Sequence, residues 1–358
     1  MNIRSLLKIE SSLVFISGVI GVALFTYFFA FVIPKNQSAD LVAESLNNEI
    51  VVSQEVLEGA KVYNDLNCQS CHTQNVRLLI PDSQNGKILK TLMESPNTLK
   101  DVKIGSAEIN TIKGEDGSTL YSRLIKPSDF DPNKKYPVLV YVYGGPHAQL
   151  ITNSWLLGAS LWMHWMANQG YLVFTLDNRG SGNRGFAFES QIHRQLGTVE
   201  IEDQMTGVSF LKSLPYVDAN RLAVHGWSFG GFMTTSMMLR TPGIYTTGVA
   251  GGPVTDWKYY EVMYGERYMD QPKENEEGYE KASLLNKTDQ LKGKLLLIHG
   301  TSDDVVVMQH NLKLVQKFIE SEKQIDFFPY PMHEHNVYGK DRVHLMKKVL
   351  NYILEHNN

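Results

Sequence analysis

Six consecutive residues, Gly226-Trp227-Ser228-Phe229-Gly230-Gly231, set a serine between glycines in a G-x-S-x-G pattern. The apolar run Leu222-Ala223-Val224-His225 precedes them, and the helix-like Phe232-Met233-Thr234-Thr235-Ser236-Met237-Met238 follows. Strand, sharp turn and helix is the context that presents a serine Oγ above a sheet as a nucleophile. The glycines lack the Cβ that would block such a turn. Free N–H groups at the start of the next helix, with its dipole, suit a developing oxyanion. A serine hydroxyl also needs an imidazole to take its proton and a carboxylate to orient that imidazole. Both follow in the order acid, then histidine. His299-Gly300-Thr301-Ser302-Asp303-Asp304 comes after the apolar run 295–298, and Tyr330-Pro331-Met332-His333-Glu334-His335-Asn336 lies before the last helix-like segment. Spacing alone leaves Asp303 against Asp304, and His333 against His335.

A second chemistry is written near the N-terminus. Cys68-x-x-Cys71-His72 has the attachment pattern of a c-type haem, with two thiols for thioether links and His72 as one axial ligand of the iron. A redox dithiol or a zinc half-site would use the same two cysteines, but C-x-x-C followed directly by His is more specific. Val56, Ala60 and Tyr63 fall on one helical face ahead of it. With Leu57-Glu58-Gly59, the segment resembles the start of a membrane-anchored cytochrome c subunit of bacterial haem–copper oxidases. The resemblance implies covalent haem c at Cys68 and Cys71. Met93 is the first methionine downstream, where the sequence has already changed character, so the cytochrome reads as cut short.

Other elements must anchor and position these groups. Residues 13–33 form 21 positions without a charge, enough for one membrane-crossing helix. Their bulky C-terminal end argues against a cleaved signal peptide. Arg4 and Lys8 before the span, and Asp40, Glu44 and Glu49 after it, place the N-terminus in the cytoplasm and export the rest. The expected location is a bacterial inner membrane, single-pass, with the bulk of the chain on the periplasmic side. The composition, 43% hydrophobic and 20% charged, is that of a globular protein, and a net charge of −4 gives no footing for nucleic acid.

From residue 86 the pattern becomes alternating. Short apolar runs at 136–143, 171–176, 222–225, 295–298 and 325–328 read as strands covered on both faces. Helix-period segments lie at 156–168, 200–214, 232–239, 309–321 and 340–355. A strand-like stretch at 87–92 and a hairpin at 109–127 around Glu115-Asp116-Gly117 precede them. Alternating β and α elements predict an α/β fold with a mostly parallel sheet flanked by helices. The expected organisation is a cytoplasmic terminus at 1–12, a transmembrane helix at 13–33 and a truncated cytochrome c-like segment at 34–85. A linker with remnant strands follows at 86–130, then a hydrolase domain at 131–358.

The stretch from about residue 86 to the C-terminus resembles the prolyl oligopeptidase family, in its dipeptidyl peptidase IV branch. The motifs are Tyr141-Val142-Tyr143-Gly144-Gly145-Pro146, Asp177-Asn178-Arg179-Gly180-Ser181-Gly182 and Leu196-Gly197-Thr198. Glu202-Asp203-Gln204, the 226–231 elbow, Tyr264-Gly265-Glu266-Arg267-Tyr268-Met269 and 299–304 add to them. The resemblance implies an α/β-hydrolase fold and a serine peptidase without a cofactor of its own. It implies Ser228 as nucleophile, Asp303 as acid and His335 as base. Tyr143 and the backbone N–H of Phe229 would form the oxyanion hole. Trp257, Tyr260 and Tyr264, with Val254 and Val306 beside them, would take a proline-like or small P1 residue of a peptide.

Two departures accompany the likeness. Family members carry a β-propeller for which this chain has no room, and the branch usually has asparagine where Val305 stands. Both put strict dipeptide release in doubt. The face a propeller would meet is expected to be exposed and partly apolar, and so prone to self-association. Two further readings are an electron-transfer protein held by the haem motif, and a fusion of two gene fragments with only the hydrolase part complete.

Overall fold

The computed structural model describes residues 77–81, 88–94 and 99–357. The expected membrane span at 13–33 and the motif at Cys68, Cys71 and His72 lie outside the described residues. Among the described residues no helix is long and apolar enough to cross a membrane. The chain divides into two compact units, residues 1–97 and 98–358. In the first, strands β1 (Arg77–Pro81) and β2 (Ile88–Glu94) pair antiparallel, with irregularities between Leu78 and Leu79 and between Ile80 and Pro81.

The second unit is built on an eight-stranded sheet. Its strands are β3 (Ala107–Lys113), β4 (Thr119–Ile125), β5 (Tyr136–Tyr141), β6 (Leu172–Asp177), β7 (Val217–Trp227), β8 (Thr247–Gly251), β9 (Lys294–Gly300) and β10 (Asp326–Tyr330). They lie in the order β10-β9-β8-β7-β5-β6-β4-β3. All neighbours from β10 to β6 pair parallel, while β4 joins β6 antiparallel and carries the hairpin partner β3. The helices are α1 (Leu161–Asn168), α2 (Phe186–Glu189), α3 (Val199–Ser213), α4 (Phe229–Arg240), α5 (Val262–Met269), α6 (Glu276–Ala282), α7 (Gln309–Glu320) and α8 (Gly339–His356).

The continuous apolar runs have a simple cause. Side chains alternate across a strand, and here both faces are covered. Val138, Val140, Phe174, Leu176, Leu295 and Leu297 join the core with side chains of α3, α4 and α7. Leu139, Val173, Ala223, Leu296 and Ile298 join the opposite core with Met163 and Met166 of α1 and with Leu345, Val349 and Ile353 of α8.

Two elements differ from the sequence pattern. Helix α1 begins at Leu161 rather than 156, because Leu156 and Leu157 adopt φ of 53° and 54°. Arg123, almost wholly buried, holds that turn by donating from one guanidinium nitrogen to Leu150 O (3.0 Å) and Leu157 O (2.7 Å). Strand β8, Thr247-Gly248-Val249-Ala250-Gly251, has no counterpart in the apolar runs. Its glycines answer to packing. A side chain at Gly251 would overlap the Trp227 ring, and one at Gly248 would press on Met238.

One carboxyl lies inside the first core. Glu200, at the start of α3, is fully buried and accepts the Gly197 N–H at 2.9 Å through Oε2, while Oε1 has no partner among the described residues. Burial pushes its pKa up to about 8, against the backbone hydrogen bonds and the Arg240 charge. The folded protein thus holds a proton that the unfolded chain releases at ordinary carboxyl pH. Stability is fully present below about pH 4.5 and is lost as pH rises through 8. In Glu200→Gln the slope disappears while the acceptor for Gly197 remains. The melting temperature of the variant, minus that of wild type, should therefore increase from pH 5.5 to pH 8. Parallel curves would refute the assignment.

Candidate active site

Strand β7 delivers the chain to Ser228, whose φ of 61° and ψ of −119° are sparsely populated for a residue with a side chain. Such a conformation costs about 1–3 kcal/mol and persists only where its surroundings enforce it. The enforcement is visible at the flanking glycines. A Cβ on Gly226 or on Gly230 would lie 2.3 Å from the carbonyl oxygen of Val142. The elbow is clamped on Val142, just past β5, at a distance only glycine allows. Ser228 N–H donates to Gly251 O at 2.8 Å, and Ser228 O accepts the Phe232 N–H at 3.0 Å, which opens α4. Phe229 stands at the first position of α4, where a backbone N–H has no intrahelical acceptor.

The acid and histidine loops follow β9 and β10 and are tied together. Ser302 N–H donates to His333 O (3.0 Å) and Met332 N–H to Thr301 Oγ1 (2.8 Å). Across this tie His335 Nδ1 lies 2.8 Å from Asp303 Oδ2. The other oxygen, Oδ1, accepts the N–H groups of Val305 (3.0 Å) and Val306 (2.8 Å). Burial opposes charge on Asp303. The hydrogen bonds from His299 and His335, the His335 charge and the Val306 N–H outweigh it and hold the carboxyl well below the usual carboxylate range.

The two pairs that spacing left open are thus distinguished by geometry. Asp304 is exposed, and His333 Nε2 pairs instead with Asp341 Oδ2 at 2.8 Å. The imidazole packs on the residue that follows β8. Gly252, at φ +48°, offers no side chain, so His335 Cε1 packs 3.3 Å from where its Cβ would stand. Trp227 Nε1 donates to His335 O at 2.9 Å. Neither Gly252 nor the Trp227 N–H was singled out from sequence. The first follows a strand the apolar pattern does not reveal, and the second is a tertiary bond.

Tyr143 leaves β5 beside the elbow, with its ring 6.1 Å from that of Phe229. Its hydroxyl bonds no other described residue, and burial, with Tyr268 nearby, raises its pKa. The two polar motifs support this loop. Asn178 Nδ2 donates to Gly144 O (3.1 Å), and Asn178 Oδ1 accepts from Gln204 Nε2 (3.1 Å). Arg179 grips both oxygens of buried Asp203, Nε donating to Oδ2 at 3.0 Å and a terminal nitrogen to Oδ1 at 2.8 Å. Such planar, two-point pairing fixes orientation as well as charge.

The remaining predicted residues gather in one aromatic cluster. Trp257 lies parallel to Tyr264 (5.8 Å, 11°), and Tyr260 stands perpendicular to both (87° and 89°). Phe229 contacts Trp257 at 5.4 Å. Val254 and Val306 are buried in the same core. Burial and neighbouring Glu261, Tyr143 and Asp303 push Tyr260 up to about 12. Among the described residues no cluster of three or more His, Cys, Asp or Glu is placed to hold a metal ion. An arrangement of this kind can activate a hydroxyl, receive an oxyanion and hold a flat apolar ring.

The sequence pattern of the prolyl oligopeptidase family matches residues 158–358. Human dipeptidyl peptidase 8 is 34% identical over 261 residues, which are 72% of this chain and 29% of that protein. A crystal structure described as a dipeptidyl aminopeptidase IV of Bacteroides ovatus superposes with a TM-score of 0.74 at 53% identity. The match covers 78% of this chain and 40% of that one. Dipeptidyl peptidase 4 of Porphyromonas gingivalis gives a TM-score of 0.71 at 33% identity with the same coverage. The chain therefore spans less than half the length of these relatives. The family pattern covers more than half of this chain, which belongs to the prolyl oligopeptidase family.

Proposed function

We propose that the chain is a serine peptidase that hydrolyses peptide bonds through an acyl-enzyme. The observation that carries this reading is the 2.8 Å bond between His335 Nδ1 and Asp303 Oδ2, set against a serine held at φ 61°. Bonding at Nδ1 leaves Nε2 of His335 to take the Ser228 proton as Oγ adds to the scissile carbonyl. The Phe229 N–H and the Tyr143 hydroxyl receive the negative charge that develops on the carbonyl oxygen. The proton then passes from His335 to the leaving amine as the C–N bond breaks, and water hydrolyses the ester by the same route in reverse.

Trp257, Tyr260 and Tyr264, with Val254 and Val306, would offer an apolar, aromatic surface to proline or another small P1 residue. A flat apolar ring packs well on an aromatic face, whereas a long or charged side chain would be desolvated there without a partner. The relatives are named for releasing dipeptides. Val305, 45% exposed, offers no side-chain hydrogen bond to a substrate carbonyl, so cleavage after proline is proposed here without strict dipeptide release. The span at 13–33 would tether this domain to the periplasmic side of a bacterial inner membrane.

The test is labelling of the full chain by a fluorophosphonate. Wild type should label and Ser228→Ala should not. A variant that still labels would remove Ser228 as the nucleophile, and a folded wild type that fails to label would reject the reading.

A further inference from the structure

A second imidazole reaches the oxygen that orients His335. His299, at the end of β9, is fully buried. Its Nε2 lies 3.3 Å from Asp303 Oδ2 and 2.6 Å from Val306 O. Both are acceptors, so Nε2 must carry the proton. Its Nδ1 lies 2.9 Å from the amide nitrogen of Asn311, a buried residue of α7, and that amide donates to it. The ring is thereby oriented with its Nε2–H set between Val306 O, the nearer acceptor, and Asp303 Oδ2. We infer that His299, held by Asn311, is a positioning residue that fixes Asp303 for its bond to His335. This rests on the triad reading above.

The arrangement closes the carboxylate completely. Oδ1 takes two backbone N–H groups, Oδ2 pairs with His335 Nδ1, and His299 Nε2 approaches Oδ2 at 3.3 Å. Without His299, Oδ2 is held only by the group it has to orient. The carboxylate then gains freedom to turn, and its charge is less neutralised. Stronger charge favours the imidazolium form of His335, so the acid side of the activity profile moves to higher pH.

Other ionisable groups face this pair. Burial and the nearby His299 hold His310 of α7 down to about 4, and Tyr260 is pushed up to about 12. Neither changes charge between pH 5 and 9. Asp304 and Glu334 flank the two loops and are exposed.

The experiment measures kcat, KM and the pH dependence of kcat/KM on a proline-containing peptide for the full chain and for His299→Leu and His299→Gln. Glutamine carries an N–H close to where Nε2 stands. His299→Leu should lose about 10- to 100-fold in kcat, the scale of a small misplacement of a reacting group, with KM within about threefold. Its acid-side midpoint should rise by about 0.5–1 pH unit, and His299→Gln should restore most of both.

A folded His299→Leu with an unmoved midpoint, or a glutamine variant that falls as far as leucine, overturns the inference. If His299→Leu does not fold, Asn311→Leu is read instead, since it leaves the ring but frees its tautomer. The same shift with a smaller loss supports the inference, and an unmoved midpoint overturns it. Fluorophosphonate labelling that survives in Ser228→Ala would instead bring down the triad reading, and this inference with it.

Discussion

Asp303→Asn should lower kcat about 10⁴-fold with little change in KM, the scale of loss when a triad acid becomes an amide. The reason lies in the polar contacts at this side chain. The amide oxygen can still accept from Val305 and Val306, which occupy Oδ1 in the native protein. Its NH2 then replaces Oδ2 and faces His335 Nδ1 and His299 Nε2. A donor now meets a donor. His335 relieves the conflict by moving its proton from Nδ1 to Nε2, the nitrogen that must be empty to accept from Ser228. The fold is kept and the base is lost. Steady-state kinetics on a chromogenic proline peptide, beside a thermal melt, would check this, and a loss under tenfold would show that Asp303 does not set the tautomer.

The same geometry shows how much of the site could be read without coordinates. The elbow was legible because one short stretch contains the strand, the turn and the helix, although the carbonyl that fixes Gly226 and Gly230, that of Val142, is distant in sequence. The acid and base were legible only as pairs of alternatives. Asp303 and Asp304 are neighbours, and which one turns inward depends on the Val305 and Val306 N–H groups and on His299. His333 and His335 lie two apart on a loop, and Asp341 of α8 draws the first away.

Strand β8 was not legible, since two glycines in five residues erase the apolar signal that burial normally leaves. Those glycines are there for Met238 and the Trp227 ring, partners distant in sequence. Polar motifs such as Asp177-Asn178-Arg179 stood out, but their work became clear only when Asn178 was seen bonded to Gly144 beneath Tyr143. Sequence pattern carries the central sheet well because burial on both faces is written into strands such as β5, β6 and β9. It carries side-chain pairing poorly because a hydrogen bond leaves no periodicity.

Tyr143→Phe should lower kcat about 10²- to 10³-fold, the usual cost of removing one oxyanion donor. The hydroxyl bonds no other described residue, so its deletion leaves no protein acceptor stranded in the resting enzyme. The ring's contacts remain available to phenylalanine, including the approach of Tyr143 Cε1 to the space above Gly145 and the packing on Phe229. Stability should therefore change little, and the loss should fall on the transition state. The Phe229 N–H persists as the second donor, which is why the loss is smaller than for Asp303→Asn. Burial matters to the size of the effect, because it raises the Tyr143 pKa and keeps the hydroxyl protonated as a donor across the working pH range. Acylation by a fluorophosphonate should slow in parallel with kcat, since its phosphoryl oxygen also gathers charge as Ser228 attacks. A variant with slowed turnover but unchanged labelling would move Tyr143 from the oxyanion hole to substrate binding.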